Sequence, residues 1–349
     1  MFTISVCMIV KNESLVLERC LSCVHKFADE IIVVDTGSTD NTKQIAQKFT
    51  DKVFDFDWCD DFSKARNFSF SLATCDFQMW LDADDFITEE NIKKIQRLKN
   101  SNQDADVFMC LYALGFDEDN APKLRFHRER ILKRSSGFVW EGFVHEVIAP
   151  AGKIVYTDIE IEHRKIVVSN PKRNLRLYQK ALKRGVKFSP RELYYYSREL
   201  YYNNHITKAI QCFKKFLKIS NTFPPDNLGA YIMLCDCFML KIQPNNAINT
   251  IFDCMKKHTP NAEMCCKLGY AYKQKEDNSK AIFWFKCAMN AERQTQGFVR
   301  EECQTFLPAL ELCSLLYKTD YASSKAYHQI AKSLHPTHPS VVYNERFFK

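Results

Sequence analysis

The stretch Phe77-Gln78-Met79-Trp80-Leu81-Asp82-Ala83-Asp84-Asp85 constrains this chain most, because an apolar run stops abruptly in three carboxylates. Such a run reads as a buried strand that delivers acids to the carboxyl edge of a sheet, where open α/β folds place their ligands. Asp82 and Asp84 lie two apart, so a continuing strand would point both the same way. They would then offer paired oxygens to a hard divalent cation holding a diphosphate. An acidic turn capping a helix that starts near Thr88 fits the stretch equally well.

The sequence before it alternates between two periods. Ile4–Val10 reads as a strand, and Val16, Leu17, Cys20, Leu21 and Val24 mark a helix running to Phe27. Ile31-Ile32-Val33-Val34-Asp35 is a continuous β-branched run suited to the middle of a parallel sheet, and it too stops at an acid. After the Gly37 turn a helix is expected over Lys43–Phe49, then a strand at Lys52–Phe56, a helix at Ser63–Ala73 and the strand Phe77–Leu81. Strands alternating with single helices predict a doubly wound, mostly parallel sheet, because each parallel pair needs a crossover. Asp35 and Asp82 then share one rim. A helix at Thr88–Leu98 and strands at Val107–Leu114 and Ile154–Ile161 extend the domain to about residue 168.

Between those last strands lies a basic segment, Lys123 to Arg134, readable either as a strand facing an anion or as a solvated edge. Trp140-Glu141-Gly142-Phe143-Val144-His145-Glu146 follows, and His163 stands after the last strand. Two histidines and two glutamates near a basic strand are material for acid–base work or metal ligation.

From Asn170 onward the pattern is helical, with a linker over 169–192 and repeats over 193–349. Leu268, Gly269, Tyr272, Ala281, Phe285 and Ala288 follow tetratricopeptide spacing, in which small and large residues let two antiparallel helices close on each other. The same offsets recur around Phe238 and Ala247 and around Leu200 and Ala209, with a degenerate unit from Phe306 to Ile330. Stacked repeats form a concave surface fit for a protein or peptide; packing or homodimerisation is the plainer role.

Composition adds limits. A net charge of +7 fits phosphate-bearing ligands as readily as nucleic acid, and the motifs favour the former, so no nucleic-acid partner is expected. The opening Met1–Val10 lacks a secretory pattern, and the absence of an apolar run of about 18 residues predicts no membrane span and a cytoplasmic chain. Most of the 15 cysteines sit in apolar patterns, and Cys20-Leu21-Ser22-Cys23 has no second pair at zinc spacing, which makes helix packing its expected role.

Taken together, Lys11-Asn12-Glu13, Val33 to Thr42, Ala65-Arg66-Asn67 and Leu81 to Asp85 resemble family 2 glycosyltransferases of the GT-A fold. Arg130 to Lys133, Trp140 to Glu146 and Pro171 to Leu175 resemble the branch joining that domain to tetratricopeptide helices, which includes sublancin-type bacteriocin S-glycosyltransferases and clostridial flagellin glycosyltransferases. The resemblance implies an inverting transfer from a UDP-sugar, with glucose or N-acetylglucosamine as the sugar, to a protein or peptide; a cell-surface glycan or glycolipid is the alternative acceptor. A decayed, non-catalytic adaptor is the reading of a different class. The resemblance to the glycosyltransferases assigns Asp35 to the base or ribose and Arg66 and Arg130 to the diphosphate, with Val10, Asn12, Glu13, Gly37, Asp82, Ala83 and Trp140 completing the nucleotide-sugar pocket. Asp84, His163 and Asp82 would hold Mn²⁺ or Mg²⁺, and Glu146, or else His145, would serve as general base.

Overall fold

The computed structural model describes residues 1–101, 104–116, 120, 122–166, 172–292 and 300–348. Asn170, Pro171 and the expected domain boundary at 168/169 lie outside them. The chain forms two compact units, Met1–Arg173 and Asn174–Lys349.

The first unit holds an eight-stranded sheet. Its strands are β1 (Ile4–Val10), β2 (Glu30–Asp35), β3 (Val53–Asp55), β4 (Phe77–Leu81), β5 (Asp85–Phe86), β6 (Val107–Phe116), β7 (Pro122–Lys133) and β8 (Ile154–His163), in the order β3-β2-β1-β4-β7-β6-β8-β5. The helices are α1 (Leu17–Val24), α2 (Thr42–Gln47), α3 (Phe62–Ser71) and α4 (Glu89–Asn100). Strand alternation builds two cores. Val6, Met8, Val33, Met79 and Leu81 pack with Leu17 and Ile92 on one face, and Cys7, Ile32, Val34 and Trp80 pack with Phe70 and Trp140 on the other. A strand buried on both faces, such as β2, therefore reads as an unbroken apolar run.

The sheet is mixed. β1 pairs parallel with β2 and β4, whereas β7 runs antiparallel between β4 and β6. Phe116 opposes Pro122, so the β6–β7 connection is too short for a crossover and must reverse the chain. The basic segment is thus an interior strand, and its edge-strand reading falls. Arg125 and Arg128 pair with Glu160 and Glu129.

The second unit is helical. Its antiparallel pairs are α6 (Pro190–Tyr202) with α7 (Ile206–Phe216), α8 (Pro224–Leu240) with α9 (Pro244–Met255), α10 (Ala262–Gln274) with α11 (Asn278–Met289), and α12 (Phe306–Leu316) with α13 (Tyr321–Leu334), preceded by α5 (Arg173–Lys183) and followed by α14 (Pro339–Asn344). Ala281, Phe285 and Ala288 are fully buried, and a Cβ on Gly269 would meet the Phe285 ring at 2.7 Å. That close approach is why the repeat places glycine there. Among the described residues no helix is long and apolar enough to cross a membrane.

Candidate active site

The acids gather where β4 ends. Leu81 closes the strand, and Asp82 to Asp84 form a turn before β5. Because the strand stops there, the two carboxylates do not point the same way as expected. Asp82 turns to Arg66 of α3, its Oδ1 accepting from Nη2 at 2.8 Å, and Asp84 turns to His163, 3.2 Å from Nδ1. The capping reading also falls, since the N-cap of α4 is Thr88, whose hydroxyl accepts from the Asn91 amide.

His163 is the last residue of β8 and lies opposite Asp85 of β5. The short β5, which no periodicity announces, brings residues 85 and 163 together. Ligand atoms of Asp82, Asp85 and His163 fall within 4.8 Å of one another, with Asp84 beside them. Carboxylate oxygens with one imidazole suit Mn²⁺ or Mg²⁺.

The electrostatics of the pocket favour a cation. Burial alone would push Glu13 upward, and Asp84, Asp82 and Asp40 add to it, taking its carboxyl to about 7. Burial would depress the His163 imidazole, but Asp84 and Asp85 outweigh it and lift it to about 10. Asp82 goes the other way: Arg66 and then Arg130 outweigh burial and hold it at about 2. Carboxylates that raise their neighbours' proton affinity concentrate negative potential, which a divalent ion relieves.

Arg66 is nearly buried and binds two acids, donating through Nε to Glu146 Oε1 at 2.7 Å as well as to Asp82. Its guanidinium lies 4.8 Å from the Trp140 ring centroid and 5.2 Å from that of Trp80. Glu146 reaches it from a small loop closed by paired hydrogen bonds between Glu141 and Val147, with Gly142 at φ 92° and His145 at φ 55°. Trp140 is 3% exposed and clamps Asn67 through reciprocal bonds of 2.8 and 2.9 Å. It supports Arg66 from behind.

Arg130, expected at the diphosphate, is fully buried and bonds the Trp80 carbonyl at 3.0 Å and Asp85 at 3.1 Å. Its charge is neutralised in the wall of the site. Asp35 ends β2 with Oδ1 accepting from the amides of Gly37 and Ser38 at 2.6 and 2.7 Å, and its buried Oδ2 has no partner. An unsatisfied buried acceptor at a strand end marks a place for a ligand donor. Asn12, at φ 56°, joins that rim, its amide donating to Ser38 and its side chain accepting from Thr39. Val10, paired with Asp35, is buried beneath it; Gly37 is exposed and Ala83 buried.

Two residues of α1 were not foreseen as site supports. Arg19 donates to the carbonyls of Asp84 and Arg164, and the Cys20 thiol donates to the Asp82 carbonyl at 3.5 Å. Burial pushes both the Cys20 and Cys23 thiols up, which fits the helix-packing role expected of the pair. Because the spacing along α1 is simply helical, nothing in the sequence announces this contact.

Residues 5–162 match the family model Glycosyl transferase family 2. The first unit is a family 2 glycosyltransferase domain. The glycosyltransferase SunS of Bacillus subtilis is 27% identical over 263 residues, 71% of this chain and 60% of that protein. A TPR repeat-containing protein of Synechococcus elongatus is 48% identical over 85 residues, 24% of this chain and 21% of that one. The chain thus spans less than two thirds of either relative. Among solved structures, residues 1–349 of Staphylococcus aureus TarS in complex with UDP-GlcNAc align with 84% of this chain and 93% of that one, at 14% identity and a TM-score of 0.38. Tetratricopeptide-like helices follow the glycosyltransferase domain.

Proposed function

We propose that the chain moves a sugar, glucose or N-acetylglucosamine, from a uridine diphosphate donor to a side chain of a protein or peptide, with inversion. The observation that carries this reading is the single guanidinium of Arg66 joining Asp82, on the cation side of the site, to Glu146. In a direct displacement the acceptor atom bonds to C1 of the sugar as the C1–O bond to the diphosphate breaks. One carboxylate cluster must face the leaving group and another carboxylate must face the acceptor.

Glu146 would take the acceptor proton, and Arg66 holds its carboxylate in a fixed orientation. Asp82, Asp84 and the His163 imidazole would hold Mn²⁺ or Mg²⁺, which when bound neutralises charge developing on the diphosphate. Asp35 and the Asn12–Gly37 rim would receive the nucleoside. The helical repeats, together with the resemblance to the S-glycosyltransferase branch, support a polypeptide acceptor over a glycan. Incubation with a panel of nucleotide sugars and Mn²⁺ tests this, scored for donor hydrolysis and then for mass gain on proteins of a cell lysate. Hydrolysis without protein mass gain would move the acceptor to a glycan, and no turnover of any donor would overturn the reading.

A further inference from the structure

Asp85 belongs to the carboxylate run, yet its surroundings differ from those of Asp82 and Asp84. It is fully buried. Oδ1 accepts from the Tyr112 phenol at 2.9 Å and lies 3.4 Å from His163 Nδ1, while Oδ2 accepts from Arg130 Nη1 at 3.1 Å and from the Asp82 amide at 3.0 Å. A carboxylate has about four acceptor positions; three of these take N–H or O–H donors and the fourth faces His163 Nδ1. A cation bound to Asp85 would have to displace one of them beside a buried guanidinium, where like charges repel strongly.

The arginine is placed by a backbone irregularity. Phe108 opposes Ile131 but Met109 opposes Glu129, so Arg130 is the extra residue of a β-bulge. Bulges re-aim side chains, and this one sets the guanidinium 3.6 Å from the Trp80 ring centroid and 4.2 Å from that of Tyr112, with Asp85 as its carboxylate.

We propose that Asp85 is a positioning residue and not a cation ligand: held by Tyr112 and Arg130, it commits His163 Nδ1 to the protein and leaves Nε2 as the nitrogen able to ligate. The inference deepens the metal reading above and rests on it. Acids placed behind a ligating histidine orient the ring, and their loss costs about 10–100-fold in metal affinity. Asp84 shares that Nδ1 edge, its Oδ1 lying 3.2 Å away, but it is partly exposed and has a second oxygen to offer the cation, whereas Asp85 is sealed in.

The test uses the full chain and Mn²⁺ alone, with free ion followed by electron paramagnetic resonance, and the His163 Nδ1–H proton followed by NMR in ¹⁵N-histidine-labelled, metal-free protein. Asp85→Asn should weaken Mn²⁺ binding about 10–100-fold. Tyr112→Phe, which removes only the hydroxyl behind Asp85, should weaken it several-fold. Both should move the slowly exchanging Nδ1–H resonance upfield. Weakening by Asp85→Asn with no effect of Tyr112→Phe would make Asp85 a ligand and overturn the proposal, as would an unmoved Nδ1–H signal in either variant. Should the stranded Arg130 unfold Asp85→Asn, Tyr112→Phe decides by itself. If wild-type protein binds no Mn²⁺, the metal reading fails, while the Nδ1–H signal still decides whether Asp85 positions the ring.

Discussion

At Arg66 two acids meet on one side chain, and substitutions around it test the proposed division between donor binding and proton transfer. Asp84→Ala should abolish Mn²⁺-dependent binding of a UDP-sugar in calorimetry, and all transfer with it; unchanged turnover would remove Asp84 from the cation site. Glu146→Gln preserves an oxygen for Arg66 Nε and should leave donor affinity near wild type while transfer falls about 10²–10⁴-fold, the usual worth of a general base. Normal transfer kinetics in that variant would move the base elsewhere, with half-buried His145 next in the same loop.

Elements here are tied at their ends by buried polar groups. Glu30 opens β2 and accepts from the Ser5 hydroxyl of β1, from Lys52 before β3 and from the Thr74 amide and hydroxyl at 2.8 and 2.9 Å. Burial would raise its carboxyl, but Lys52, Ser5 and Thr74 outweigh this and bring it from 4.5 to about 2. A depressed folded-state value means the stabilisation is present in full above pH 4.5 and is lost as pH falls toward about 2. The contribution is on the order of 2–3 kcal/mol. Denaturant melts should show wild type losing stability through that window and Glu30→Gln, less stable at pH 7, losing less of it. In the helical unit, Gly269→Ala forces a methyl into the Phe285 ring and should cost about 1–3 kcal/mol, read as a lower melting temperature. No loss would mean that the α10–α11 packing relaxes freely.

On the scale of the whole molecule, each unit has its own cores. The strand residues pack with α1, α3 and α4, and the repeat helices pack among themselves around Phe213, Cys235, Ile251 and Phe285. Calorimetry should therefore resolve two transitions, and a single two-state transition with matching van't Hoff enthalpy would show the units to be energetically coupled. Removing residues from Asn174 onward should reduce transfer to a protein acceptor more than donor hydrolysis. Equal loss of both would make the helices a stabilising or dimerising element.

Local pattern was enough for much of this architecture. Period-2 and period-3.6 runs place β1 and β4 at their observed ends, Ile4–Val10 and Phe77–Leu81, and the repeat spacing places the paired helices. Apolar periodicity reports which face a residue buries, and that is settled within a few neighbours. Contacts distant in the chain leave no such trace. The antiparallel entry of β7, the two-residue β5 that sets Asp85 opposite His163, the bulge that turns Arg130 inward and the meeting of Arg66 with Glu146, 80 residues away, arise only when the strands pair. Asp82, Asp84 and Asp85 are near neighbours in sequence, yet their partners are Arg66, His163 and Arg130. Which of the three can meet a cation depends on where those partners lie, because a carboxylate already saturated by buried donors has no lone pair left to offer.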